Sequence, residues 1–122
     1  MDFEYLNTID EVQTKLNGEK IILLYFTASW CGPCQKIKPF VSKLKETYPT
    51  IEVYLIDVDK AQELSAQFKI KSMPTFCFFK GAVLLTRFSG ADESKLELVV
   101  SVAVKASAKI PTTLQPRLKK SD

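Results

Sequence analysis

Residues 25–35 of the chain read Tyr-Phe-Thr-Ala-Ser-Trp-Cys-Gly-Pro-Cys-Gln, and they join two segments with different hydrophobic periods. Residues 20–27 form a β-rich apolar run that is long enough for a buried strand. In residues 35–48, apolar side chains recur at the spacing of a helix. Cys31 and Cys34 are therefore expected where a buried strand passes into a helix.

The spacing of these two cysteines indicates redox chemistry, because two thiols separated by two residues can close a disulfide and reopen it. The first turn of a helix offers unpaired N–H groups and a partial positive charge, which favour a thiolate over a thiol at Cys31. Cys34 lies one helical turn further along and is expected to be less exposed. We predict that Cys31 attacks a substrate disulfide and that Cys34 resolves the mixed disulfide.

A metal site is the main alternative for this pair, since a Cys-x-x-Cys motif is also half of a zinc site. The sequence contains no histidine, and Cys77 is its only other thiol. Four Cys and His ligands cannot come from one chain of this composition, so we expect no metal. The lack of histidine also excludes a Cys–His nucleophile of the protease kind. Cys77 lies between two phenylalanines of a predicted strand, where a buried core residue is expected.

The cysteines and their neighbours resemble the thioredoxin family signature Trp-Cys-Gly-Pro-Cys, here residues 30–34. Met-Pro-Thr-Phe at residues 73–76 and Phe-Ser-Gly-Ala at residues 88–91 follow in the order that this family has them. The similarity covers roughly residues 3–105 and is close to the small animal and eukaryotic thioredoxins, which share Lys-Pro-Phe at residues 38–40. The sequence is thus identified as a member of this family with a C-terminal extension.

Strand and helix patterns alternate along the chain, which predicts an α/β protein with a parallel sheet core and right-handed crossovers. The resemblance implies the complete thioredoxin fold, in which a central mixed five-stranded sheet is flanked by four helices. We expect this domain to comprise residues 1–106. Residues 107–122 lack periodicity and include two prolines, so we expect a basic, mobile tail that the chemistry does not need. The alternative is a docking arm.

Capping residues predict where several helices begin. Thr8 and Glu11 have the spacing of a capping box at the start of the first helix. Asp59 is expected to begin the third helix. Asp92 is expected to cap the fourth helix, which should end near Ala106.

The resemblance also implies the site around the cysteine pair. The active-site frame corresponds to Trp30, Gly32 and Pro33, and the substrate-binding positions correspond to Met73, Pro74 and Gly90. A proline cannot lie inside a central strand, so Pro74 is expected at the start of one. In the family the bond before this proline is cis, and the backbone of Met73 would then pair with an extended substrate segment. Asp57 and Asp59 lie where the family has acidic residues beside its substrate-binding groove, although helix capping alone explains Asp59.

The motif and the resemblance together predict a protein-disulfide reductase whose redox-active group is the Cys31–Cys34 disulfide, with no cofactor. Gly32 and Pro33 between the cysteines favour disulfide reduction over disulfide formation. The expected partners are disulfide-containing proteins and an external reductase, such as thioredoxin reductase, and the protein is expected to be a monomer. A second hypothesis is a thioredoxin-fold binding or regulatory module whose cysteines are incidental, but the complete signature argues against it.

Composition predicts a single cytoplasmic domain. The chain has 122 residues, of which 46% are hydrophobic and 25% charged, as is ordinary for a globular core. No basic region followed by an apolar core is visible at the start, so no secretory signal is expected. The longest apolar run, residues 21–26, is far shorter than the roughly 18 residues of a membrane span. We therefore expect no membrane association.

The net positive charge belongs to the end of the chain. Residues 1–104 hold 12 Lys and Arg against 13 Asp and Glu, whereas residues 105–122 hold 5 against 1. The predicted domain therefore has no basic excess, and nucleic-acid binding is not expected.

Tyr25 departs from the family pattern. Six residues before the first cysteine, thioredoxins usually have a buried aspartate that assists proton transfer at the resolving cysteine. A phenol titrates near 10, so Tyr25 would be a poor general base at neutral pH. The polar residue that often accompanies that aspartate is also missing, because its position holds Leu55. We expect a less ionic pocket behind Cys34. Resolution should then be slower near neutral pH and depend more on pH, or water or a substrate group should carry the proton. The alternative is that Tyr25 points away and another residue substitutes.

Overall fold

A computed structural model describes residues 3–109 of the chain and the side-chain surroundings of residues 3–106. Within this part of the chain, strands and helices alternate and then give way to a hairpin and a last helix. Their bounds are β1 Glu4–Tyr5, α1 Ile9–Lys15, β2 Ile21–Thr27, α2 Gly32–Thr47, β3 Ile51–Asp57, α3 Gln62–Gln67, β4 Thr75–Lys80, β5 Val83–Ser89 and α4 Glu93–Lys109.

The strands form one mixed sheet in the order β1-β3-β2-β4-β5. β1, β3 and β2 are parallel, and β4 and β5 are added antiparallel on the other side of β2. All seven residues of β2 are buried, because this strand has neighbours on both edges and helices on both faces. The predicted thioredoxin fold, with a five-stranded mixed sheet and four helices, is confirmed.

Alternation along β2 divides the core into two layers. Ile21, Leu23 and Tyr25 belong to the layer beneath α2 and α4, which also holds Ile37 and Val100. The side chains between them on β2 point to the opposite layer. That layer includes Val12 of α1 and Leu64 of α3. Because both faces are covered, the strand reads as a continuous apolar run in the sequence.

The predicted caps of α1 and α4 are confirmed. Thr8 Oγ1 accepts a hydrogen bond from the N–H of Glu11, and the Glu11 carboxylate accepts from the N–H of Thr8, which completes the capping box. The Asp92 carboxylate accepts from the N–H of Lys95 in the first turn of α4.

The predicted cap of α3 is wrong. The N-cap of this helix is Ala61, which has no side chain that can accept a hydrogen bond. The Asp59 carboxylate instead accepts a hydrogen bond from the indole of Trp30. A short-range capping rule could not foresee this, because Trp30 follows a different strand and approaches Asp59 only in the folded sheet.

The end of α4 lies three residues beyond the expected position, at Lys109. Residues 107–109 therefore continue the helix, and the rest of the predicted tail lies outside the described residues. Within the described residues, no helix is both long enough and apolar enough to cross a membrane.

Candidate active site

Cys31 lies between β2 and α2, as the sequence predicts, and is the N-cap residue of α2. Its backbone N–H donates to the carbonyl oxygen of Ala28 at 3.2 Å, and the side-chain amide of Gln35 donates to the same oxygen at 2.9 Å. These bonds fix the turn between strand and helix. Pro33 lies in the first turn of α2. Backbone N–H groups there have no intrahelical acceptor, so the lack of an N–H in proline costs no hydrogen bond.

Cys31 and Cys34 form a disulfide, with their Cα atoms 5.3 Å apart. The Sγ atom of Cys31 accepts a hydrogen bond from the backbone N–H of Cys34 at 3.2 Å. This is the interaction of a side-chain cap at a helix N-terminus, with sulfur as the acceptor. The same N–H and the partial positive charge of the helix would stabilise a Cys31 thiolate after reduction.

The two cysteines differ in exposure, in the predicted order. Cys31 is 6% exposed and Cys34 is fully buried. Trp30 stands beside them with 65% of its surface exposed, and its indole N–H donates to the Asp59 carboxylate at 2.7 Å. This bond fixes a large aromatic surface next to the cysteine that solvent can reach.

Residues just before β4 lie against the cysteine pair. The peptide bond between Met73 and Pro74 is cis, and Pro74 immediately precedes β4, both as expected. The Met73 carbonyl oxygen is 3.9 Å from Cys31 Sγ, and the Met73 side chain packs on a small cluster that contains Cys31 and Cys34. Met73 and Pro74 therefore border the site, although they lie some forty residues from the cysteines in the sequence.

Gly90 comes to the same end of the sheet from the opposite side of β4. Its N–H donates to the Pro74 carbonyl oxygen at 2.9 Å. Its φ of +107° lies in a region that only glycine adopts readily, and a Cβ atom there would meet no neighbour within 4 Å. The glycine is therefore required by backbone conformation and leaves open space beside the groove.

Tyr25 points toward the cysteines, so the alternative that it points away is wrong. Its ring is completely buried, next to Leu55 in the parallel register and stacked on Phe76 at 5.0 Å between ring centroids. Its hydroxyl donates a hydrogen bond to the backbone carbonyl oxygen of Cys34. Burial raises the pKa of Tyr25 to about 12, which keeps the phenol protonated. A buried, neutral phenol therefore stands behind Cys34 where the family usually has a carboxylate.

Cys77 is buried in β4, as predicted, in the sheet layer that faces α1 and α3. Tyr25 and α2 belong to the opposite layer. Burial raises the pKa of its thiol to about 11, so it is a weak nucleophile at neutral pH. Among the described residues, no group of three His, Cys, Asp or Glu side chains is arranged to hold a metal ion.

Two contacts at the site were not foreseen from the sequence. They are the Tyr25 bond to the Cys34 carbonyl and the Trp30 bond to Asp59. Period-two alternation along β2 already places Tyr25 on the face that α2 covers, so the first contact has a sequence correlate. The second joins residues of separate loops and has none. The contact between Cys31 and Met73 agrees with the family resemblance, which implies that the Met73–Pro74 bond lies against the cysteine pair.

The disulfide follows the central strand, caps a helix and is bordered by Met73 and the cis-Pro74. These features define a thiol–disulfide oxidoreductase. The thioredoxin family model matches residues 5–103. The chain therefore belongs to the thioredoxin family, and its activity is thiol–disulfide reduction with the Cys31–Cys34 disulfide as its redox-active group.

Known relatives agree with this assignment. Sheep thioredoxin is 44% identical over 84 residues, which are 69% of this chain and 80% of the relative. The crystal structure of Fasciola hepatica thioredoxin superposes with a TM-score of 0.78 at 36% identity, covering 81% of this chain and 97% of that one. A structure that describes thiol resolution in yeast mitochondrial 1-Cys peroxiredoxin through the glutathione and thioredoxin systems gives a TM-score of 0.79 at 26% identity, covering 82% and 94%.

Proposed function

We propose that Cys31 is the attacking cysteine of a protein-disulfide reductase and that Cys34 is the resolving cysteine. The observation that carries this assignment is the asymmetry of the two cysteines: Cys31 is 6% exposed whereas Cys34 is fully buried, and the Cys31 sulfur accepts the N–H of Cys34 at the start of α2. An accessible sulfur that a helix N-terminus stabilises as a thiolate is the better nucleophile.

The reaction begins when the Cys31 thiolate attacks one sulfur of a substrate disulfide. That bond breaks, one substrate thiolate leaves, and Cys31 remains joined to the other substrate sulfur. Cys34 then loses its proton and attacks Cys31 Sγ, which releases the second substrate thiolate and forms the Cys31–Cys34 disulfide. Two electrons have passed to the substrate, and an external reductase such as thioredoxin reductase returns two electrons to the enzyme.

Substrate binding involves the groove beside Cys31. Trp30 provides an exposed apolar wall, and the cis-proline segment provides backbone groups next to the reactive sulfur. An extended polypeptide can pair with the backbone of Met73, as an added strand pairs with a sheet edge. Gly90 leaves room for that polypeptide to approach. Asp59 acts indirectly, by orienting Trp30.

The partners are disulfide-containing proteins, and the enzyme works as a monomer in the cytoplasm. The yeast structure described above connects a thioredoxin system to a mitochondrial peroxiredoxin, which supports oxidised thiol proteins as a substrate class. Fractionation of cells that express the tagged protein tests the compartment, because enrichment with mitochondria would contradict a cytoplasmic site.

The assignment of the two cysteines is tested with three variants in an insulin reduction assay with dithiothreitol as electron donor. Cys31→Ser should abolish the reduction, and Cys34→Ser should accumulate a mixed disulfide that mass spectrometry locates on Cys31. Cys77→Ser is the matched control and should retain activity, because Cys77 is buried away from the pair. A Cys31→Ser variant with full activity would overturn the assignment and would favour a non-catalytic role for the pair.

A further inference from the structure

Arg87 of β5 makes an unusual contact with the end of α3. Its guanidinium donates to the carbonyl oxygens of Phe68 and Lys69, at 2.5 and 3.1 Å. Helix ends leave carbonyl groups without intrahelical partners, and here a side chain from the edge strand of the sheet binds the carbonyl of the C-cap residue Phe68 and the next carbonyl along the chain, that of Lys69. Arg87 therefore joins β5 to the point where the chain leaves α3.

The chain at this point has a conformation that needs support. Lys69 is the one residue other than glycine with a positive φ among the described residues, at 54°. A residue with a side chain adopts a left-handed conformation only at an energetic cost. The N–H of Ile70 then closes the turn by donating to the Ser65 carbonyl at 3.1 Å. The two Arg87 bonds offset the cost by holding the carbonyl groups on either side of the turn.

This turn begins residues 69–74, which we call the proline segment. Its other end is held by Thr75, the first residue of β4, and by Gly90, the residue after β5. Thr75 Oγ1 donates to the Ser72 carbonyl at 2.7 Å and lies 2.9 Å from the Ser89 hydroxyl, and the N–H of Gly90 donates to the Pro74 carbonyl. The segment that carries Met73 is therefore anchored at one end by Arg87 of β5 and at the other by Thr75 of β4 and by Gly90, the residue after β5. Arg87 provides the anchor farther from the cysteines.

We propose that Arg87 is a positioning residue for protein substrates, which fixes the proline segment in the conformation that pairs with a substrate backbone. This inference rests on the proposed docking role of Met73. A segment that is ordered before binding loses less conformational entropy when a partner pairs with it, so loss of the anchor weakens docking. A small disulfide that reacts with Cys31 without pairing to the Met73 backbone does not depend on the anchor.

The experiment compares Arg87→Gln and Arg87→Lys with wild type on two substrates, insulin and 5,5′-dithiobis(2-nitrobenzoate). Arg87→Gln removes hydrogen bonds from a charged donor. Because Arg87 is exposed, we expect their removal to lower kcat/KM by only about threefold to tenfold. Arg87→Gln should show this loss with insulin, mainly through a higher KM. Its reaction with the small disulfide should stay within about twofold of wild type, and Arg87→Lys should recover part of the loss because it keeps one charged donor.

The matched control is Lys80→Gln, which removes a cation that donates to a backbone carbonyl, that of Glu19, at the other end of the sheet. Lys80→Gln should leave both reactions unchanged. The inference is overturned when Arg87→Gln reacts with insulin as wild type does, or when both substrates lose the same factor, since a general disturbance of the site would affect both. The proposed assignment of Cys31 is tested by a different variant. It fails if Cys34→Ser, with Arg87 unchanged, forms no mixed disulfide at Cys31.

Discussion

Tyr25 shows how one residue changes the chemistry expected at the resolving cysteine. Its hydroxyl is engaged as a donor to the Cys34 carbonyl, and burial raises its pKa to about 12. The phenol therefore holds its proton throughout the physiological range and cannot accept the proton that Cys34 must lose. Its neighbours in the sheet, Leu55 and Phe76, cannot accept a proton either.

Tyr25→Asp is expected to accelerate resolution of the mixed disulfide near neutral pH, because it places a carboxylate behind Cys34. Rapid-mixing measurements of the Cys34 step at several pH values determine this rate. A buried carboxylate is costly and the smaller side chain leaves a cavity, so the variant should also lose about 3 kcal/mol or more of stability. Tyr25→Phe is the control: it removes the hydroxyl without adding a base and should leave the rate and its pH dependence unchanged. Equal resolution rates for wild type and Tyr25→Asp throughout would contradict a limiting role for the missing base.

Cys77 should make the fold sensitive to alkali. Its pKa is raised from 9.0 to about 11, so the folded state prefers the neutral thiol. The preference of the folded state for the neutral Cys77 thiol makes its full contribution to the free energy of unfolding below pH 9, and this contribution is lost as pH rises from 9 to 11. The loss is on the order of 2–3 kcal/mol, from two pKa units.

Urea unfolding at pH 8 and pH 11 measures this effect, in a Cys31→Ser, Cys34→Ser background that prevents disulfide exchange. Cys77→Val in the same background removes the titrating group and should lose correspondingly less stability between the two pH values. An identical loss with and without Cys77 would show that its titration does not affect folding.

At the scale of elements, hydrophobic period and capping residues predicted most of the fold. The continuous apolar run of β2 indicated a central strand, and the Thr8 and Glu11 pair indicated the start of α1, because both features act over a few neighbouring residues. The failure at Asp59 has the opposite cause, since the carboxylate is used by a residue of another loop. The Arg87 contact also joins distant segments, and the sequence around it gives no indication of its partners.

Thr8→Ala should destabilise the protein by about 1 kcal/mol, because it removes the acceptor of the Glu11 N–H at the start of α1. Thermal or urea unfolding measures the change. Insulin reduction should be unaffected, since α1 contributes no residue to the site described here. Thr8→Ser keeps the hydroxyl and should retain most of the stability, and a loss as large as that of Thr8→Ala would show that the cap is not the cause.

Gly81→Ala should destabilise the hairpin between β4 and β5 by about 2 kcal/mol or more. The φ of Gly81 is +58°, where a residue with a side chain costs about 1–2 kcal/mol. The added Cβ would also lie 2.7 Å from the carbonyl oxygen of Gly18, which is backbone and cannot rotate away. Gly18→Ala is the matched control on the other side of this contact, because its Cβ would meet nothing within 4 Å. Urea unfolding that ranks the two variants equally would contradict this account.

At the scale of the whole molecule, the topology of the sheet assembles the site. The carboxyl ends of β2, β3 and β5 and the amino end of β4 meet at one edge, because β2 and β3 are parallel and β4 runs opposite to both of its neighbours. Cys31, Asp59, Met73 and Gly90 follow or precede these ends and so come together from four separate parts of the sequence. Local patterns could predict each strand but not their order, so the family resemblance was needed to bring these residues into one site.

Truncation after Lys109 tests whether the described part of the chain contains the whole catalytic unit. The site residues all lie between Tyr25 and Gly90, and α4 packs on the core through Leu96 and Val100, well before the cut. The truncation removes Arg117, Lys119, Lys120 and Asp122, so the formal net charge falls from +3 to +1. We expect kcat/KM for insulin to stay within about twofold of the full chain at moderate salt, because every residue of the proposed site lies before the cut and salt screens the attraction between exposed charges. Measurements at low and high salt distinguish the two ways in which this expectation can fail. A deficit that disappears at high salt would show that the basic residues attract the substrate, and a deficit that persists together with a lower unfolding midpoint would show that residues 110–122 pack on the domain.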